Sequence, residues 1–187
     1  MERGFKTRCE NISLQIRSEL DLNKITPLPP ESLAKHMGVY LWKPEDITNL
    51  STEAFNQLGK DRESWSAVTV SLGGIESVIY NPLHAIGRQS SDIMHELSHI
   101  LLEHKPIEMM LFSKDLEIVL RDYDPDIEDE ANWLSGCLLL PRDALLYIKE
   151  KGLDENTACQ MYHVSRTLLT FRMNMTGVIR QTRSAWR

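Results

Sequence analysis

Five residues constrain this chain more than anything else in it. His95-Glu96-Leu97-Ser98-His99 sets two histidines four apart with a glutamate directly after the first. The surrounding pattern is helical over 91–104, with Ile93, Leu97, Ile100 and His104 on one face and Met94 and Leu101 flanking it. Helix positions four apart lie about 40° apart around the axis and one turn apart along it, so both imidazoles reach a single cation. Glu96 points roughly 100° from His95, close enough to meet a water on that cation without ligating it. Two neutral imidazoles, an oxygen ligand and an open position describe a catalytic zinc site rather than a closed structural one. Such a metal brings the pKa of water to about 7, and the carboxylate serves as base. From this chain's own histidine and glutamate usage, the pattern is expected by chance on the order of 0.02 times, too rarely for coincidence.

The third ligand lies elsewhere. The long metzincin pattern needs glycine and histidine where Leu102 and Lys105 stand, so that class is excluded. His104, on the apolar face, reads as a packed or capping histidine. Glu103 is on the histidine side but two turns from His95, too far to converge on the same ion. The better donors are in an acidic helix start, where six acids occur within 122–130. Glu128 flanks one side of the apolar stripe and Glu130 the other, while Asp129 faces away from it. Spacing alone does not choose between Glu128 and Glu130.

Composition agrees with a globular enzyme. Apolar residues make up 42% of the 187 and charged residues 26%, enough to bury a core. A net charge of −6 argues against blanket binding to nucleic acid. The longest aliphatic run, Leu138-Leu139-Leu140, is far short of the ~20 residues of a membrane span. Residues 1–10 carry positive charge with no apolar stretch behind it, so no secretory leader is expected. Cys9, Cys137 and Cys159 are odd in number and lack metal-site spacing, which fits free thiols in a cytoplasmic protein.

Read in order, the chain predicts a helix over 10–20, a break at Pro27-Leu-Pro-Pro30, a short helix ending at Gly38, and another over 50–58. Two strand-forming segments, 65–71 and 75–80, flank Gly73-Gly74 as a hairpin. That hairpin could offer an edge strand to an extended substrate. Asp124 and Pro125 start a helix whose stripe is Ile127, Ala131, Leu134 and Leu138, and Pro141 ends it. Helices follow over 142–150 and 154–162, and a last one runs from Ser165 to Gly177. Residues 153–172 have a helix-turn-helix cadence, and after Glu155 there are no acids while five arginines remain. Local positive charge of that kind can touch DNA phosphates.

Two segments together resemble the ImmA/IrrE family of zinc metallopeptidases. Arg88 to His99 is similar to the family's entry into its HExxH helix. Glu128-Asp-Glu-Ala-Asn-Trp-Leu-Ser-Gly-Cys-Leu-Leu-Leu-Pro141 is similar to its E-x-x-A-N signature and leucine-rich turn. Pro27 to Val39 resembles its N-terminal helix-and-strand entry. The departures are Ser98, where glycine or alanine is common, and Cys137, where glutamate or alanine is more usual.

The resemblance implies Glu128 as third zinc ligand and Asn132, one turn on, as the group that orients a ligand histidine. It also implies an α+β, zincin-like core with a small, mostly antiparallel sheet over 1–150, and a helical, helix-turn-helix-like lobe with an arginine-rich tail over 151–187. The implied activity is zinc-dependent cleavage of a cytoplasmic protein, typically a helix-turn-helix transcriptional repressor, with His95, His99 and Glu128 on the metal and Glu96 as base. The competing expectation is a DNA- or partner-binding regulator whose metal site is structural or vestigial. No oxyanion donor stands out. Tyr80, His84 and Tyr123 qualify by residue type only.

Overall fold

The computed structural model describes residues 1–47, 65–72, 75–104, 107–113, 116–122 and 124–184. Its helices are α1 (Phe5–Glu19), α2 (Pro30–Met37), α3 (Ile86–Leu101), α4 (Pro125–Leu139), α5 (Arg142–Glu150), α6 (Glu155–Tyr162), α7 (Arg166–Met175) and α8 (Val178–Ser184). Five strands, β1 (Tyr40–Trp42), β2 (Ala67–Leu72), β3 (Ile75–Tyr80), β4 (Ile107–Ser113) and β5 (Leu116–Asp122), form one sheet in the order β1-β3-β2-β5-β4. Only β1 and β3 run parallel; the other pairings are antiparallel. The fold is therefore α+β with a small, mostly antiparallel sheet, as anticipated. The helix expected over 50–58 lies outside the described residues. Among those described, no helix is long and apolar enough to cross a membrane.

The β2–β3 hairpin forms as its pattern predicts, but it is not at the sheet's edge. A second hairpin, β4–β5, adds to β2 through Val70–Leu120 and Ser71–Val119, and β1 covers the far side of β3. Pairing with β5 stops at Val70, so Ala67 to Thr69 have no bridge to β5. Strand alternation sends Val68 and Val70 to one face, with Ile79, and turns Thr69 to the face that packs on α3.

On the helix face one core runs continuously from Phe5 to Val178. The boundary expected at residue 150 falls inside it, because Ala158, Tyr162, Val164, Leu169 and Met173 share that core with Leu97 and Leu134. Two glycines set the docking distance. A Cβ on Gly87 of α3 would stand 2.7 Å from the Val164 carbonyl carbon, and one on Gly136 of α4 would stand 2.9 Å from Arg172 Cδ. The turn of the helix-turn-helix thus lies directly on the backbone of α3. That turn uses His163 in the left-handed region (φ 51°), and Ser165 Oγ accepts from Leu168 N at 3.1 Å to start α7. Gly177, also left-handed, lets the chain restart as α8, a helix the sequence reading does not include.

α4 is anchored at both ends. Asp124 accepts from Asp126 N at 2.9 Å, and Pro125 occupies the first turn as predicted. At the other end Pro141 stops the helix and leaves carbonyls without intrahelical partners. Ser13 Oγ donates to the Cys137 carbonyl at 2.7 Å, and Arg17 Nη2 to that of Leu138 at 2.7 Å. Arg172 Nε and Nη2 donate to that of Leu140 at 3.1 and 3.0 Å. Both arginines are buried, and burial lowers the Arg17 pKa to about 10. Arg172 also pairs with Glu10.

Removing one of these arginines strands buried acceptors. Arg172→Met should destabilise the protein by about 3 kcal/mol, because the Leu140 carbonyl and Glu10 lose a charged donor. Equilibrium urea unfolding measures this, and an unchanged midpoint contradicts it.

Candidate metal centre

His95 and His99 lie on α3 facing the first turn of α4, and the structure brings both against Glu128. His95 Nε2 is 3.1 Å from Glu128 Oε2, His99 Nε2 is 3.2 Å from Oε1, and the two Nε2 atoms are 3.0 Å apart. The rings meet edge to face, with centroids 4.7 Å apart. This geometry fits a cation. Donors at the corners of a tetrahedron with bonds of about 2.0–2.1 Å lie roughly 3.3 Å apart, close to the spacing found here. One ligand atom from each of the three lies within 4.8 Å of the others. The choice the spacing left open is thereby made in geometry: Glu128 turns to the histidine pair, and Glu130 turns away to His104.

The charge states suit the donor set. His99 is 1% exposed. Burial first, then His95 and His104, lowers its pKa to about 3, so it is a neutral imidazole at physiological pH. Glu128 stands in the first turn of α4, where the helix dipole favours a carboxylate.

Glu96 lies one residue along from His95 and is not among the clustered atoms. Its Oε2 accepts from Thr69 N at 2.9 Å and from Thr69 Oγ1 at 2.6 Å, and Oε1 has no partner among the described residues. Burial raises its pKa, while the two Thr69 bonds and His95 pull the other way. Thr69 was not expected to matter. Its signal in the sequence is a hydroxyl in an otherwise apolar strand, Ala67-Val-Thr-Val70.

A cleft of about 720 Å³ opens beside this cluster. Ser66, Ala67, His95, Glu96, Asn132 and Phe171 are among the residues that line it, so α7 forms its far wall. Asp129, read as solvent-facing, is exposed and lines the cleft too. Asn132 also faces the cleft, and its carboxamide bonds neither histidine; among the described residues His104 meets His99 Nδ1, at 3.0 Å. Asp92 lines the cleft as well, held by His84 Nδ1 at 3.0 Å. His84 itself is turned into that contact and towards Asn81, and neither it nor Tyr80 lines the cleft. Tyr123 lies outside the described residues. Ser98, the departure from the family pattern, is buried and satisfied by donating to Met94 O at 2.7 Å.

His99 makes the metal-free protein acid-sensitive. Its folded pKa lies below the ordinary value near 6.5, so from there down to about pH 3 the unfolded chain binds more protons and stability falls with pH. The urea midpoint of metal-free protein should drop between pH 7 and pH 5, and His99→Gln should flatten that slope. Equal slopes would contradict the assignment.

Residues 44–174, most of the chain, match the model of the peptidase M78 family, described as an IrrE N-terminal-like domain. No curated protein matches the chain. The match spans α3, α4 and the α7 wall of the cleft, and so covers the three clustered residues together with Glu96 and Thr69. On that ground the chain belongs to the ImmA/IrrE family, peptidase family M78.

Proposed function

We infer that this protein is a zinc-dependent endopeptidase, with His95, His99 and Glu128 holding the metal and Glu96 as general base. The observation that carries the reading is the joint placement of three convergent donors and a second, half-buried carboxylate that stays out of the cluster yet lines the same cleft. Zinc, when bound, acidifies a water to a pKa of about 7 and polarises a carbonyl. The chain supplies the rest. Thr69 pins Oε2 of Glu96 with two bonds and leaves Oε1 to take a proton. The raised pKa brings the carboxyl closer to the pH range in which it can accept that proton and hand it to a leaving amine. The stretch Ser66 to Thr69, which has no bridge to β5 and begins at the cleft, suits an extended substrate pairing by its main chain.

The substrate we propose, on the family resemblance, is a cytoplasmic protein, specifically a helix-turn-helix repressor of stress-response or mobile-element genes. The position of α7 favours a role in the cleft over DNA reading, because Ser165, Thr167, Leu168 and Phe171 face the catalytic residues. A recognition helix would need those N-terminal positions for base edges.

Glu96→Gln should lower cleavage of a repressor encoded beside this gene by 10²-fold or more, while one equivalent of zinc is retained. Full cleavage by the variant, or wild-type protein that takes up no metal, overturns the reading. Thr69→Val removes a bond to the charged form of Glu96, so its pKa rises further. The acidic limb of kcat/KM should then move to higher pH, and a superimposable profile would count against Thr69 as its anchor.

A further inference from the structure

His104 stands next to the metal cluster without belonging to it. α3 ends at Leu101, and Glu103 takes a left-handed conformation (φ 54°) that L side chains rarely adopt. Glu103 N donates to the Ile100 carbonyl at 3.1 Å, and His104 N donates to that of His99 at 3.1 Å. This is the paired-bond helix stop usually made with glycine. Here it is made with glutamate, at the cost of local strain. The turn folds His104 back over the last turn of α3, so that its side chain, 8% exposed, lies against the His99 imidazole.

The contacts form a series. His99 Nδ1 is 3.0 Å from His104 Nδ1, and His104 Nε2 is 3.5 Å from Glu130 Oε2. If His99 presents its Nε2 lone pair to a metal, its proton sits on Nδ1 and is donated to His104. His104 must then accept at Nδ1 and carry its own proton on Nε2, which faces the Glu130 carboxylate. Two protons, or two lone pairs, between the Nδ1 atoms would repel, so the order is unique. We propose that His104 and Glu130 are positioning residues for the metal site: a carboxylate–imidazole relay that fixes the tautomer and tilt of His99 and strengthens it as a ligand. The proposal rests on the metal reading above, but not on the peptidase activity. It gives α4 two functions, one glutamate for the ion and another, two residues on, for the support of a ligand.

A helix cap alone does not account for the side chain, since the cap is made by the His104 backbone. Zinc and cobalt(II) titrations of the full chain against a chelator test the relay. His104→Leu, which keeps the bulk and removes the acceptor, should weaken zinc binding on the order of ten- to a hundred-fold and change the visible spectrum of the cobalt form. His104→Asn keeps an acceptor near Nδ1 and should recover most of the affinity. Glu130→Gln, on a more exposed side chain, guards against a folding defect in the leucine variant. It should cost on the order of ten-fold, and combined with His104→Leu it should cost nothing further, because it acts through His104. Wild-type affinity and spectrum in His104→Leu, or an asparagine variant as weak as the leucine one, overturns the relay. Wild-type protein that binds neither ion overturns the metal reading and the relay with it.

Discussion

The reach of the Glu128 carboxylate depends on where α4 is stopped. Glu128 sits in the first turn, and the carbonyls that fix the helix along its axis lie at Cys137 to Leu140, roughly 14 to 18 Å away at helical rise. Ser13, Arg17 and Arg172 hold those carbonyls from two other helices. Slippage of α4 by a single turn, about 5.4 Å, would carry Glu128 out of reach of both imidazoles. The ligand geometry is thus set by hydrogen bonds made at the far end of a rigid rod, inside the core that also seats α1 and α7.

α3 is held differently. Its apolar face, Ile93, Met94 and Leu97, is buried against the sheet and α4, while its first turn lies on the α6–α7 turn through Gly87. The candidate metal site therefore forms where three independently anchored parts meet. β2 supplies Thr69 to Glu96, α4 supplies two glutamates, and α3 supplies the histidines. Such a site keeps its shape because no part of it rests on a loop whose conformation is set by the ligand alone.

Much of this was legible in the sequence, for identifiable reasons. The 3.6-residue period around His95 and the cap-proline start at Asp124-Pro125 are local signals, and the structure carries both. Glu128 was not separable from Glu130 by spacing, since both flank the buried stripe; only the packing of α3 on α4 decides which meets the histidines, and family resemblance stood in for that packing. The β4–β5 hairpin has no clear signal in the sequence, since Lys114-Asp115 between its strands offers neither the glycine nor the asparagine that marks a tight turn. His104 was placed on the apolar face by extending the helical wheel to 104. The helix ends at Leu101, so the wheel no longer applies, and a left-handed glutamate has no clear signature in a single sequence.

The backbone contact at Gly87 has a consequence for how such a chain can diversify. The C-terminal helices have the outline of an exchangeable cassette, yet their turn abuts an atom-sized gap in the helix that carries His95 and His99, and they wall the cleft. Recombination that swapped this cassette would have to preserve a fit finer than one methyl group. Change in the shape of the cleft thus comes more readily from point changes along the wall, at positions such as Thr167 and Phe171, than from the shuffling of whole segments.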